Sequence, residues 1–174
     1  MTQEEHAPRT QAGAEVPLRK AVAGDMIRIQ RLINPFADRK LMLPRALGEL
    51  YETVRDFHVI ATDDELIGCV SLHPVWDELA EVKCLAVGEA HQGRGLGGTL
   101  VEAAIAEART MGFRRLFTLT YRASFFQRLG FRPIDKQELP HRVWIECTRC
   151  PLFPDCNEES LSLDLVSPDA DATV

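Results

Sequence analysis

Leu79-Ala80-Glu81-Val82-Lys83-Cys84-Leu85-Ala86-Val87 leads through Gly88 to Gln92-Gly93-Arg94-Gly95-Leu96-Gly97-Gly98. The first stretch is rich in apolar residues and reads as a strand. The second is glycine-rich and opens the run Leu96 to Met111, whose Ala and Leu content reads as a helix. Glycine lets a backbone turn tightly and approach a ligand with no Cβ in the way. The first amides of a helix have no internal partner and lie at the positive end of its dipole. Strand, glycine loop and helix start, in that order, make a site for a pyrophosphate. Arg94 can add a charge-assisted contact to one phosphate.

Two other phosphate-binding patterns fit less well. A P-loop requires Lys and then Ser or Thr after its second glycine, and Gly98-Thr99 stands there instead. A dinucleotide fingerprint can be forced only as Gly93-x-Gly95-x-x-Gly98, and its strand should open the chain, whereas residues 1–78 come first here. A glycine-rich turn with no ligand is the plain alternative.

Outward from the loop, helical and strand patterns alternate. Val16 to Val22 reads as a short strand. Asp25 is placed to cap a helix in which Met26, Ile29, Leu32 and Ile33 share a face. Pro44 suits a first helical turn, and Leu43, Leu47, Leu50, Tyr51 and Val54 recur at helical spacing. Phe57–Thr62 and Glu65–Pro74 are strands joined by the polar turn Asp63-Asp64-Glu65, a hairpin. After the loop helix come a strand at Phe113–Tyr121, a short helix at Ser124–Leu129, a strand at Phe131–Asp135 and a last alternating strand at Ser160–Val166. The expected fold is a mixed, mostly antiparallel α/β sheet with flanking helices and one βαβ unit. In that unit Leu79–Val87 and Phe113–Tyr121 run parallel, and the Leu96 helix crosses between them.

Composition bounds the function. With 174 residues the chain fits one domain, expected over 16–166 between flexible tails at 1–15 and 167–174. Its 26 acidic and 20 basic residues give a net charge of −6. That excludes nucleic acid as a partner, because a phosphate backbone calls for clustered Lys and Arg. It leaves room for a local cationic pocket and a small anionic substrate. No run of 18 or more apolar residues occurs, so no membrane span or membrane partner is expected. The polar N-terminus lacks the apolar core of a secretory signal, and the odd count of five cysteines does not suit a disulfide framework. The cytoplasm is the expected compartment, and a homodimer is an open expectation.

The loop resembles motif A of the GNAT acyltransferases, Q/R-x-x-G-x-G/A, matched by Gln92, Gly95 and Gly97. Ala80 to Val87 resembles that family's fourth strand, and Phe125-Phe126-Gln127-Arg128-Leu129-Gly130-Phe131 resembles its motif B. The resemblance implies a GNAT-like sheet and acetyl-CoA as co-substrate. It implies that the Ala80 to Val87 strand splays at a bulge, and it assigns the pantetheine arm to the freed backbone of Leu85, Ala86 and Val87. It assigns the pyrophosphate to Gln92, Gly93, Arg94, Gly95, Leu96, Gly97 and Gly98, and a coenzyme contact to Phe126.

Acetyl transfer to an amine then sets further needs. The amine is mostly ammonium at neutral pH, so a base must take a proton before it attacks the thioester. Glu81, on the strand that would line the acetyl group, is the candidate base. The Leu85 amide is the candidate oxyanion donor. An acid for the leaving thiolate helps only modestly, since a thiol has a pKa of about 8.5. Family members often carry a Tyr acid five residues before the Phe of the Gly-Phe pair. That position is Phe126 here, which has no proton to give, and Tyr121 is the candidate replacement, ahead of Ser124.

Further stretches resemble the short stand-alone amino-acid acetyltransferases that make N-acetylglutamate for arginine synthesis. They are Arg39 to Arg45, Phe57 to Ile60, Ile67 to His73, Phe117 to Thr120, Leu139 to Trp144, and Cys147-x-x-Cys150-Pro151. Glutamate carries two carboxylates, which suits two or three cations. Lys40, Arg45 and Arg142 are the candidates, and His73 is read as packed or solvated. Cys147, Cys150 and Cys156 are read as free or packed thiols, with zinc or a disulfide as alternatives, and no metal site is assigned. Cys69 and Cys84 are read as small buried apolar residues.

Overall fold

The computed structural model describes residues 17–141, 143–148 and 155–165. In chain order the elements are β1 (Leu18–Lys20), α1 (Met26–Asp38), α2 (Leu47–Glu52), β2 (Phe57–Ala61), β3 (Leu66–Trp76), β4 (Leu79–Val87), α3 (Leu96–Thr110), β5 (Arg115–Thr120), α4 (Ala123–Arg128), β6 (Arg132–Pro133), α5 (Val143–Thr148) and β7 (Glu159–Asp164). The strands form one mixed sheet in the order β1-β2-β3-β4-β5-β7-β6. The fold class is thus the expected one, including the parallel pair β4 and β5 with α3 between them in sequence. The expected tails, 1–15 and 167–174, lie outside the described residues.

By density of contacts the chain forms two compact units, Met1–Leu72 with Cys84–Ala104, and His73–Lys83 with Ile105–Val174. The division passes through β4 between Lys83 and Cys84.

In the first unit β1, β2 and the start of β3 form an antiparallel ribbon, in register at Leu18↔Ile60 and Val59↔Cys69. α1 buries Met26, Ile29 and Ile33 against a core that includes Leu50, Phe57, Val59, Cys69 and Ala86. Each such large side chain taken out of water contributes about 1.5–3 kcal/mol.

Asp25 does not cap α1 with its side chain. Its buried carboxylate turns back to accept the Val22 amide at 2.9 Å and both ends of the Arg19 guanidinium at 2.7 and 3.1 Å. The Arg19 hydrogen bonds hold this carboxyl below its ordinary range. α2 also begins later than its pattern suggests. Pro44 lies before it, Ala46 is extended at its N-cap, and Glu49 reaches back to accept the Ala46 amide at 3.3 Å. The extended Ala46, closed by the Glu49 carboxylate, sets the start of the helix.

In the second unit β5 pairs with β7 antiparallel from Arg115↔Asp164 to Thr120↔Glu159. β7 pairs on its other side with β6 at Arg132↔Ser162, so the last strand lies inside its predecessor. Leu116, Phe117 and Leu161 are buried on these strands. α4 packs Phe126 edge-on against Phe125 and Phe131, with centroids 5.1 and 5.3 Å apart. The sequence reading did not place α5.

Candidate active site

The glycine loop belongs to the first unit. The turn ahead of it, Glu89–His91, is fastened by an ion pair from Arg39 to Glu89 and by His91 against Glu65 at 3.1 Å. Gln92 folds its amide back to donate to the Val87 carbonyl at 3.0 Å, tying the loop to the end of β4. Gly93 and Gly95 take φ of +76° and +80°, and a Cβ built on either would meet nothing within 4 Å. Glycine is therefore needed there for backbone conformation and not for want of space. Arg94 is exposed and anchors to the Ala90 carbonyl at 3.2 Å. Leu96 is buried and seats the first turn of α3, with Gly97 and Gly98 half-buried beside it. The loop is open and contains no acidic residue, and the unbonded amides of the α3 start follow it, so these residues fit a pyrophosphate.

Just before the loop, β4 bends, in the strand that the family resemblance implies is splayed at a bulge. Cys84 has a φ of +54°, and Lys40 is the one other non-glycine residue with positive φ among the described residues. A left-handed L-residue costs about 1–2 kcal/mol. Here it kinks the strand directly ahead of Leu85 and Val87, which are half-buried, and Ala86, which is buried. No residue type at position 84 announces the kink. The hint lies across the ribbon at Gly68, where an added Cβ would stand 3.0 Å from Leu100 Cδ1 and 3.1 Å from the Ala86 carbonyl oxygen. β3 and β4 approach too closely at that point for a side chain.

The acceptor-side candidates of the first unit sit after α1. Lys40 is exposed and occupies the left-handed position that ends the helix. Its amide donates to Ala37 at 2.8 Å and the Leu41 amide to Phe36 at 3.0 Å, a Schellman closure. Arg45 is half-buried, and its carbonyl accepts the Gln30 side-chain amide at 3.0 Å. Arg142 lies outside the described residues.

Glu81, Tyr121 and Phe126 belong to the second unit. The parallel ladder to β5 ends at Glu81↔Phe117, so Glu81 stands at the last paired position. Its side chain is 12% exposed and lies 3.4 Å from Lys83 Nζ, on the same strand face. Tyr121 is half-buried with its hydroxyl 3.9 Å from Cys156 Sγ, and the Cys156 thiol donates to Glu158 at 3.6 Å. Burial pushes the Glu158 carboxyl up. Phe126 is buried in the aromatic cluster of α4. Burial, and then Glu158 and Cys156, push the Cys147 thiol up. The four described cysteines are free, and Cys150 lies outside the described residues. Among the described residues no cluster of three metal-ligating side chains occurs. No helix among them is long and apolar enough to cross a membrane.

A strand kinked ahead of a glycine loop that fits a pyrophosphate suits an acyltransferase that holds a nucleotide thioester. The comparisons agree. The model of the acetyltransferase (GNAT) family matches residues 25–131, and the chain belongs to that family, whose acyl donor is acetyl-CoA. An uncharacterised N-acetyltransferase of Chlorobaculum tepidum is 34% identical over 83% of this chain and 94% of its own length. An amino-acid acetyltransferase of Mycobacterium tuberculosis is 32% identical over 87% of each. The crystal structure of N-acetylglutamate synthase from Neisseria gonorrhoeae, complexed with coenzyme A and N-acetylglutamate, superposes with a TM-score of 0.80 at 29% identity. It covers 88% of this chain and 36% of that one.

Proposed function

We propose that this acetyltransferase moves the acetyl group of acetyl-CoA to the α-amino group of L-glutamate, the first step of arginine synthesis, in the cytoplasm. The observation that carries the reading is Glu81, a half-buried carboxylate four residues before Leu85 on the kinked strand. The likeness to the amino-acid acetyltransferase and to the N-acetylglutamate complex supports the choice of acceptor.

In this reading Glu81 accepts a proton from the bound ammonium, directly or through one water. The free amine attacks the thioester carbonyl. The Leu85 amide donates to the oxygen as negative charge grows on it, the step at which a fixed donor matters most. The tetrahedral adduct collapses, the C–S bond breaks, and the thiolate leaves with a proton from Tyr121 or solvent. The backbone of Leu85, Ala86 and Val87 holds the pantetheine arm, and the amides of Gln92 to Gly98, with Arg94, hold the pyrophosphate. Arg45, Arg142 and Lys40 pair with the two carboxylates of glutamate.

Thiol release from acetyl-CoA, measured with each amino acid in turn, tests the reading. L-Glutamate should be the best acceptor. Arg45→Ala and Arg142→Ala should each raise its KM at least about tenfold, the loss of roughly 1.4 kcal/mol of binding. Faster release with another amine would overturn the acceptor, and no release with any would overturn the activity.

A further inference from the structure

Cys69 lies in β3, is fully buried, and takes no part in the reaction described above. Its thiol donates to the Cys84 carbonyl at 3.4 Å. Its sulfur also receives the Ala86 amide. Burial, with Cys84 close by, pushes the Cys69 thiol well above its ordinary range, so the S–H proton is retained at every working pH. One sulfur atom thus grips the chain on both sides of Leu85.

The grip has a geometric consequence. The Cys84 carbonyl and the Leu85 N–H belong to one planar trans peptide, in which C=O and N–H point in opposite directions. A carbonyl drawn toward Cys69 sends the Leu85 N–H away from β3. Without that hold, this peptide plane could rotate about ψ of Cys84 and φ of Leu85 and turn the amide elsewhere.

We propose that Cys69 is a positioning residue, whose thiol fixes the Cys84–Leu85 peptide so that the Leu85 amide is aimed at the thioester carbonyl. The role rests on the transfer mechanism proposed above, but not on the identity of the acceptor. A group fixed beforehand stabilises a developing oxyanion better than one that must turn during the reaction.

Carbonyl-labelled acetyl-CoA, bound without any acceptor, reports the orientation by the infrared stretch of its thioester. On the unaltered enzyme the stretch should fall below that of free acetyl-CoA, as a hydrogen-bonded carbonyl requires. Cys69→Val keeps the apolar volume and removes the thiol. It should bring the stretch back toward the free value and lower kcat about tenfold, with KM for acetyl-CoA within about threefold, part of the loss seen when an oxyanion donor is deleted outright. Cys69→Ser keeps a donor and should retain the lowered stretch and kcat within about threefold, in line with a hydrogen-bonding role. Cys69→Ala, read only on protein that remains folded, covers the case in which valine does not fit.

A lowered stretch that persists in Cys69→Val or Cys69→Ala would overturn the proposal, as would an unshifted stretch on the unaltered enzyme. A mere packing role would lower the melting temperature of all three variants without moving the stretch. If glutamate were not the acceptor, turnover with it would be absent while the infrared pattern still held.

Discussion

Two short stretches of the first unit bend the backbone into the left-handed region, the glycine loop and the kink of β4, by opposite means. At Gly93 and Gly95 the residue type alone allows the turn, and the space around it is open. At Cys84 the residue type resists it, and contacts from a neighbouring strand hold it in place. A loop of the first kind announces itself in the sequence. A kink of the second kind has no signal in the residue that bends, and its position is fixed only once the partner strand is in place.

Substitution should separate the two. The largest effect is expected from Gly95→Val, which forces a β-branched residue into positive φ. Affinity for coenzyme A, by calorimetry, should fall about a hundredfold, near 2.7 kcal/mol, and the strain should also lower the melting temperature. An intact affinity would mean that the loop does not carry the pyrophosphate.

Gly68→Val tests the other bend through its close approach rather than its φ. The added side chain meets the Ala86 carbonyl and Leu100, and overpacking of this kind costs about 1–3 kcal/mol. Denaturant unfolding should show that loss, and an unchanged midpoint would mean that β3 and β4 can part without penalty.

A smaller effect comes from acid, at a charge that belongs to neither bend. Asp25 has its carboxyl pKa depressed in the folded chain by the Arg19 hydrogen bonds. Its contribution is therefore present above the ordinary carboxylate range and is lost as pH falls through the folded value. Melting temperature against pH should drop on the acid side, and the drop should shrink in Asp25→Asn. An identical acid limb in that variant would assign it to other carboxyls.

The smallest effect is expected at Lys40, a left-handed residue outside both bends. Lys40→Gly should add about 0.5–1 kcal/mol by relieving the helix end. KM for glutamate separates the two roles of this residue. It rises if the ammonium binds substrate and is unchanged if the position only ends α1.

The same contrast explains how much of the molecule could be read from its sequence. β4 runs over Leu79–Val87 as the apolar pattern predicted, and α3 ends one residue short of the expected Met111. Both are long and carry a strong local pattern. The loop was found because glycine is a local signal. α2 begins later than the pattern predicts because Pro44 satisfies a helix-start rule while the cap that forms is Ala46 with Glu49. Asp25 was misjudged because a cap and a buried ion-pair partner require the same residue type. The insertion of β7 between β5 and β6 is a matter of tertiary pairing that periodicity does not encode. The candidate base stood out as the one acidic residue of a mostly apolar strand. Lys83, two residues on, falls on the same strand face, whereas the hold of Cys69 on β4 could be seen only when side chains from distant positions were brought together.

The two outer strands of the sheet bear on how the protein behaves when crowded. An unpaired strand edge is a template on which another chain can add itself and begin a fibre. β1 is three residues long and carries Arg19 and Lys20, and β6 is two residues long and ends in Pro133, which has no amide to offer. Neither border gives an incoming strand enough hydrogen-bonding groups to grow on. Among the described residues, the sheet can therefore be handled at high concentration without spreading from its margins.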